Sequence, residues 1–198
     1  MRIKTFTLLF LIAAFSADLA TQSLPRQDTE SPVEVKVKNP RNVLNFYLAV
    51  PGNFLGWGQD KNAWPGEQER LKMVSVRDIQ NGYLKLSWGT NDYIEIALFR
   101  DPARNRVVLG IARTDCSRVC NNDLLRFLVF EGNRCFDATG VLFPDLSACR
   151  LGKNIMINLP RYGTAVILNE VNSEGEPREL DEHIKWSDGK FVLEKRKK

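Results

Sequence analysis

From Val74 to the C-terminus, apolar residues recur at every second position in short runs, and a turn signal closes each run. Leu84, Leu86 and Trp88 alternate with Lys85 and Ser87, while Ile94, Ile96 and Leu98 point one way with Glu95 opposite. Successive side chains on a strand face opposite sides, so a period of two predicts half-buried strands. Asn81-Gly82 is a strong two-residue hairpin signal, and Gly89 to Asp92, Asp101-Pro102, Glu131-Gly132-Asn133 and Asp188-Gly189 supply further breaks. Strands are also predicted at Val107–Ala112, Leu124–Phe130, Cys135–Ala138, Ile155–Leu159, Thr164–Leu168, Ile184–Trp186 and Phe191–Glu194. The total is about nine, with no helix between them long enough for a parallel crossover. The pattern predicts a mainly β chain, with α+β as the alternative: a single antiparallel meander closed into a barrel or folded into a sandwich.

Ahead of the strands the periodicity differs. Val43, Leu44, Tyr47 and Leu48 share one face of a short N-terminal helix, with Asn39 as its cap, Pro40 in its first turn and Pro51-Gly52 at its end. Gly52 to Gly66 carries four glycines and a proline, which predicts a long loop running into a helical turn at Glu67–Lys72. Residues 21–38 are polar, hold Pro25 and Pro32, and read as a flexible leader. Residues 1–20 have the three parts of a secretory signal: Arg2 and Lys4, the apolar run Phe6 to Phe15, and the small residues Ala14, Ser16, Ala17 and Ala20. The run is shorter than the roughly 20 apolar residues that span a bilayer, and no later segment comes closer. The expected organisation is a signal peptide at 1–20, the leader at 21–38, one β-rich domain at 39–194 and a basic tail at 195–198. A secreted or periplasmic location follows, and the lack of an Asn-x-Ser/Thr sequon favours the periplasm.

Cys116, Cys120, Cys135 and Cys149 are spaced Cys-x3-Cys, then two isolated positions. Structural zinc sites prefer two close pairs, and only the first pair qualifies. An oxidising compartment favours bridges, so disulfides are expected, with Cys116–Cys120 and Cys135–Cys149 the favoured pairing and no metal. Cys116 and Cys120 share one tight turn, whereas Cys135 follows another.

The formal net charge is +4 and the pI about 8.9, but Lys195, Arg196, Lys197 and Lys198 concentrate the excess in the tail. No ordered stripe of Lys and Arg is visible, which speaks against a nucleic-acid partner. His183 is the sole histidine and lies on a strand next to apolar Ile184, so it reads as a solvent-facing strand residue. His-based triads and the common zinc ligand sets have no residues to draw on, and no nucleophile elbow, phosphate-binding loop or cofactor motif is present. Asp92, Glu95, Asp101, Asp115, Asp137 and Asp145 sit at strand ends or turns, where an acid–base pair would have to form. Asp137-Ala138-Thr139-Gly140 reads as a turn.

The surface candidates are aromatic. Phe54, Trp57 and Trp64 lie on the Gly-rich loop, and Arg161 and Tyr162 on the tight turn Leu159–Gly163. Trp offers large apolar area with one polar tip, suited to stacking on a sugar or filling a partner's pocket. The expected function is an exported, non-enzymatic binding or inhibitory module on a disulfide-stapled β scaffold, its partner a protein or glycan of the cell envelope and no cofactor involved. A carboxylate-pair hydrolase and a structural accessory protein of the envelope are the alternatives.

Overall fold

The computed structural model describes residues 31–87, 92–117, 119–146 and 154–195. The signal segment, the first part of the leader, Trp88, Cys149 and residues 196–198 lie outside the described residues. Strands β1 (Val33–Glu34), β2 (Val74–Asp78), β3 (Tyr83–Ser87), β4 (Asp92–Asp101), β5 (Arg106–Asp115), β6 (Asn121–Glu131) and β7 (Arg134–Asp137) form one sheet. Its order is β1-β7-β6-β5-β4-β3-β2. Strands β8 (Ile155–Asn158), β9 (Ala165–Val171), β10 (Pro177–Ser187) and β11 (Lys190–Lys195) form a second, four-stranded meander in chain order. Every pairing is antiparallel. Helices are short: α1 (Val43–Ala49), α2 (Glu67–Met73) and α3 (Thr139–Leu142).

The mainly β expectation holds, but the barrel does not. In each sheet the first and last strands of the order are edges that pair with only one neighbour, whereas closure would require them to pair with each other. Two separate meanders form instead of one.

The large sheet is buried on both faces. On one face Leu84, Leu86, Ile94, Ile96, Leu109, Ile111 and Leu128 pack against α1 and the Gly52–Leu55 turn. On the other, Tyr83, Ala97, Phe99, Val108, Phe127 and Val129 share a core with Ile157, Val166, Leu168, Ile184, Trp186 and Phe191 of the small sheet. Aromatic rings dominate this second core: Phe127 lies 4.3 Å from Phe191 and 4.9 Å from Phe143, centroid to centroid. Gly110, in the middle of β5, makes that packing possible. A Cβ there would stand 3.0 Å from Phe127 and 3.1 Å from Phe99, so both rings would have to shift to admit it.

Polar clamps fix the sheets to each other. Asp101 accepts from Arg104 (3.0 Å) and Arg106 (2.8 Å). The same two guanidinium groups donate to the carbonyls of Asp188 (3.0 Å) and Gly189 (2.7 Å), tying the β4–β5 turn to the β10–β11 turn. The edge of β8 is sealed by side chains of the large sheet. Asn122 accepts from the Ile157 N–H and donates to its carbonyl, and Glu95 accepts from the Leu159 N–H at 3.1 Å. An unpaired strand edge invites pairing with another chain, and here side chains stand in for the missing strand.

Three further expectations are revised. The leader contributes β1, since Val33 pairs with Cys135, Glu34 with Arg134, and the Val35 N–H donates to Asn133 (2.7 Å). Val33, Val35 and Val37 pack on the helical-side core, so burial of these valines orders the segment. Helix α1 begins at Val43, and its cap is Asn42, whose side chain accepts from the Asn45 N–H, rather than Asn39. His183 lies on β10 as expected, but its side chain is only 16% exposed, covered beside Glu194.

The Cys116–Cys120 bridge is present at the β5–β6 turn, with a Cα–Cα distance of 4.0 Å. The expected Cys135–Cys149 bridge is not, because Cys135 is a free, fully buried thiol on β7. Burial, with a smaller contribution from Asp137, pushes its pKa up to about 12, so it packs as a protonated apolar side chain. Reduction of the native protein will therefore add about 2 Da, measured by intact-mass spectrometry, where two bridges would add about 4 Da.

Candidate functional site

The aromatic loop turns inward. Phe54 is fully buried in the helical-side core, so it cannot meet a partner, and the expectation that it binds is withdrawn. Trp57 is half-buried, with the Arg70 guanidinium 4.6 Å above its ring centroid. Trp64 is half-buried and lies flat on Gly52, where an added Cβ would come within 2.5 Å of the indole. Its Nε1 donates to the Gly58 carbonyl at 3.1 Å. These rings close the loop over the core because a Gly-rich segment has few other apolar groups to cover its backbone.

The carboxylates are largely committed to structural partners. Glu95 accepts from Tyr83 Oη (2.8 Å), Asn158 Nδ2 (3.1 Å) and the Leu159 N–H (3.1 Å). Asp137 accepts from the Thr139 N–H at 2.9 Å, and the segment expected as a turn runs instead from the end of β7 into the first residues of α3. Asp92, Asp115 and Asp123 line a cavity of about 120 Å³ together with Arg113 and Thr114. Asp92 and Asp115 stand opposite each other on β4 and β5, a convergence among the described residues that bears on hydrolysis. Asp123 is held through both oxygens by Arg113, at 2.7 and 2.9 Å from Nε. Hydrogen bonds from Ser117 hold the Asp115 carboxyl below the usual carboxylate range. A general acid needs a pKa raised toward neutrality, and the surroundings of Asp115 do the reverse. Among the described residues, no group of three or more His, Cys, Asp and Glu side chains is placed to hold a metal ion.

A larger cleft, about 280 Å³, opens where the start of α1, the β2–β3 turn, the end of β4 and the turn into β9 meet. Val43, Ile79, Leu98, Phe99 and Trp186 supply its apolar lining. Asn42, Gln80, Asn81, Arg100 and Thr164 supply the polar side chains, and no Asp or Glu is among the lining residues. Two bonds across the back of the cleft fix its width: Trp186 Nε1 to the Arg100 carbonyl and the Trp186 N–H to the Thr164 carbonyl, both 3.1 Å. Arg161 and Tyr162 adjoin it. Arg161 Nε donates to Asp78 at 2.9 Å, and Asn81 of the cleft wall donates to both oxygens of the same carboxylate, at 3.1 and 3.0 Å. These bonds, Arg161 foremost, keep the Asp78 carboxyl below its ordinary range and brace the β8–β9 turn against the β2–β3 turn. Tyr162 is 67% exposed, with the Arg161 guanidinium 5.3 Å from its ring centroid.

The structure thus brings Arg161 and Tyr162 to the neighbourhood of a cleft, while Trp57 and Trp64 do not line it. Asn42, Gln80, Arg100 and Thr164 escape a reading by sequence, because four separate segments contribute them and no local motif joins them. No helix among the described residues is long and apolar enough to cross a membrane. No protein-family model matches the chain, and neither a curated protein nor a solved structure shows significant similarity to it.

Proposed function

We propose that the protein is an exported, non-enzymatic binding module whose recognition face is the cleft beside the Arg161–Tyr162 turn, its partner a component of the cell envelope. The observation that carries this is the contrast between the two kinds of polar group. Glu95, Asp101, Asp115 and Asp123 are tied to backbone, tyrosine, amide or arginine partners, whereas Gln80, Arg100 and Thr164 of the cleft wall are exposed. The exposed Tyr162 beside a rigid, cross-braced pocket is the kind of aromatic anchor on which binding energy concentrates. The Cys116–Cys120 bridge fits an oxidising compartment, and the apolar run near the N-terminus supports export.

The test is a double variant, Tyr162→Ala with Arg100→Glu. Both side chains are exposed, so the fold will survive, as circular dichroism and thermal midpoint will show. Retention of the partner captured from an envelope extract will fall by about tenfold or more, the usual consequence of losing an anchor residue. Unchanged retention by the folded variant would remove this face as the recognition surface.

A further inference from the structure

We propose that the cleft receives the free carboxylate end of an extended peptide, an inference that rests on the binding-module reading and specifies its ligand. Charge is the first argument. Arg100 is the sole ionisable residue lining the cleft, its side chain is exposed, and among the described residues no acid pairs with it. Four other arginines near pockets or turns are matched: Arg113 by Asp123, Arg161 by Asp78, Arg104 and Arg106 by Asp101. An unmatched guanidinium in a concave site with no acid in its wall favours a carboxylate, which it binds through two parallel N–H donors.

The second argument is the backbone. Strand β3 begins at Tyr83, opposite Ala97 of β4, and the Gly82 carbonyl takes the Leu98 N–H at 2.9 Å. Beyond that point β4 pairs only with β5, as far as Asp101 opposite Arg106. Alternation along a strand turns the Arg100 N–H the same way as that of Leu98, toward the cleft. On this side the Arg100 carbonyl already accepts from Trp186, so the edge offers an N–H beside the guanidinium. An extended chain entering the cleft would lay its last peptide group along this edge and its carboxylate on Arg100, a combination of strand addition and terminus capture.

Shape and surface chemistry agree. A volume of about 280 Å³ accommodates one or two residues. Ile79 and Leu98, both partly exposed, give a small apolar seat for the last side chain. An acidic sugar would instead call for an exposed aromatic platform inside the cleft. Trp186 is only 8% exposed, its ring packed against Phe99 and Phe191, and Phe99 is 2% exposed.

The probe is a set of fluorescein-labelled pentapeptides ending in Ala, Val, Leu or Ser, each made as the free acid and as the C-terminal amide. Binding to the purified protein is read by fluorescence polarisation, with digalacturonic acid as a competitor. At least one free acid will bind, and its amide will bind about tenfold more weakly or worse, because the charge-assisted bond to Arg100 is lost. Arg100→Gln will weaken the acid by about 10- to 100-fold with an unchanged thermal midpoint, and Thr164→Val will weaken it by a smaller factor. Equal affinity for acid and amide, no binding of any peptide, or an unaffected Arg100→Gln variant would overturn the proposal. Digalacturonate binding in place of the peptides would overturn it in favour of an acidic glycan. If every peptide fails while the Tyr162→Ala, Arg100→Glu variant still loses its envelope partner, the ligand class falls and the recognition face stands.

Discussion

Arg70→Met will lower the free energy of unfolding by about 3 kcal/mol, the largest single effect expected from a residue that the sequence places on an ordinary amphipathic turn. Helix α1 is two turns long and ends at Ala49, so its last carbonyls have no partner within the helix. Arg70 supplies one. Its Nη1 lies 3.3, 3.2 and 2.8 Å from the carbonyls of Tyr47, Leu48 and Val50, and its Nε 3.1 Å from that of Pro65. Trp57 covers one face of the guanidinium, and Tyr47 Oη donates to the Arg70 carbonyl at 3.2 Å. The residue is 6% exposed, so water cannot replace these donors when the side chain is removed. Methionine keeps the apolar stem and deletes the fork, which isolates the hydrogen-bond loss from the packing loss. Arg70→Lys will recover less than half of it, because one ammonium cannot reach carbonyls spread over two segments. Denaturant unfolding followed by tryptophan fluorescence measures both variants. A loss below about 1 kcal/mol for Arg70→Met would mean that the helix end is satisfied by other means.

Arg70 also shows what a sequence withholds. Three of its four carbonyl partners lie 20 to 23 positions upstream, at the end of α1 and its cap, and nothing in Glu67–Met73 distinguishes a core cation from a surface one. The strands are legible for the opposite reason: alternation and Gly- or Pro-marked turns are local, and β3 to β9 and β11 fall within a few residues of where those signals put them, whereas β10 starts well before the expected Ile184 and β2 has no expected counterpart. The alternation Val33-Glu34-Val35-Lys36-Val37 was equally local. It lies among polar residues after Pro32, and its pairing depends on Cys135, about a hundred positions away. A different clue was present in β6. Leu124 to Phe130 is almost continuously apolar, which marks a strand covered on both sides rather than one. Taken with Phe99 and Ala97 on the face assigned to Glu95, it implied a second layer over the sheet. The cleft has no such trace, since its polar groups converge only after two sheets and a helix have packed. Tyr162 and Arg161 were reachable because a tight turn exposes its central residues wherever it docks.

Glu95→Leu will cost about 3 kcal/mol and loosen the seam between the two sheets, although leucine suits a strand buried on both faces better than glutamate does. The residue is 7% exposed and its carboxylate accepts from three donors; the Tyr83 hydroxyl and the Leu159 N–H would be left buried without a partner, and the Asn158 amide would keep only a long bond to Tyr93 Oη at 3.5 Å. Tyr83 stays a donor across the working pH range, since burial, reinforced by the neighbouring Glu95 charge, raises its pKa well above the ordinary phenol value. Asn158 in turn accepts from Asn169 at 2.7 Å, so the disturbance will pass from β4 through β8 to β9. Glu95→Gln keeps one acceptor oxygen and replaces the other with a donor facing donors, so it will retain part of the stability. Tyr83→Phe removes one orphan in advance. The double variant Tyr83→Phe, Glu95→Leu will therefore be more stable than the sum of the single losses predicts, by about 1 kcal/mol in a denaturant-melting cycle. Hydrogen exchange gives the local readout: the Leu159 amide will lose protection in Glu95→Leu while amides in the middle of β5 and β6 keep theirs. If Leu159 remains protected and the cycle is additive, the edge of β8 is held by Asn122 alone, and Glu95 is free for the chemistry that its burial otherwise argues against.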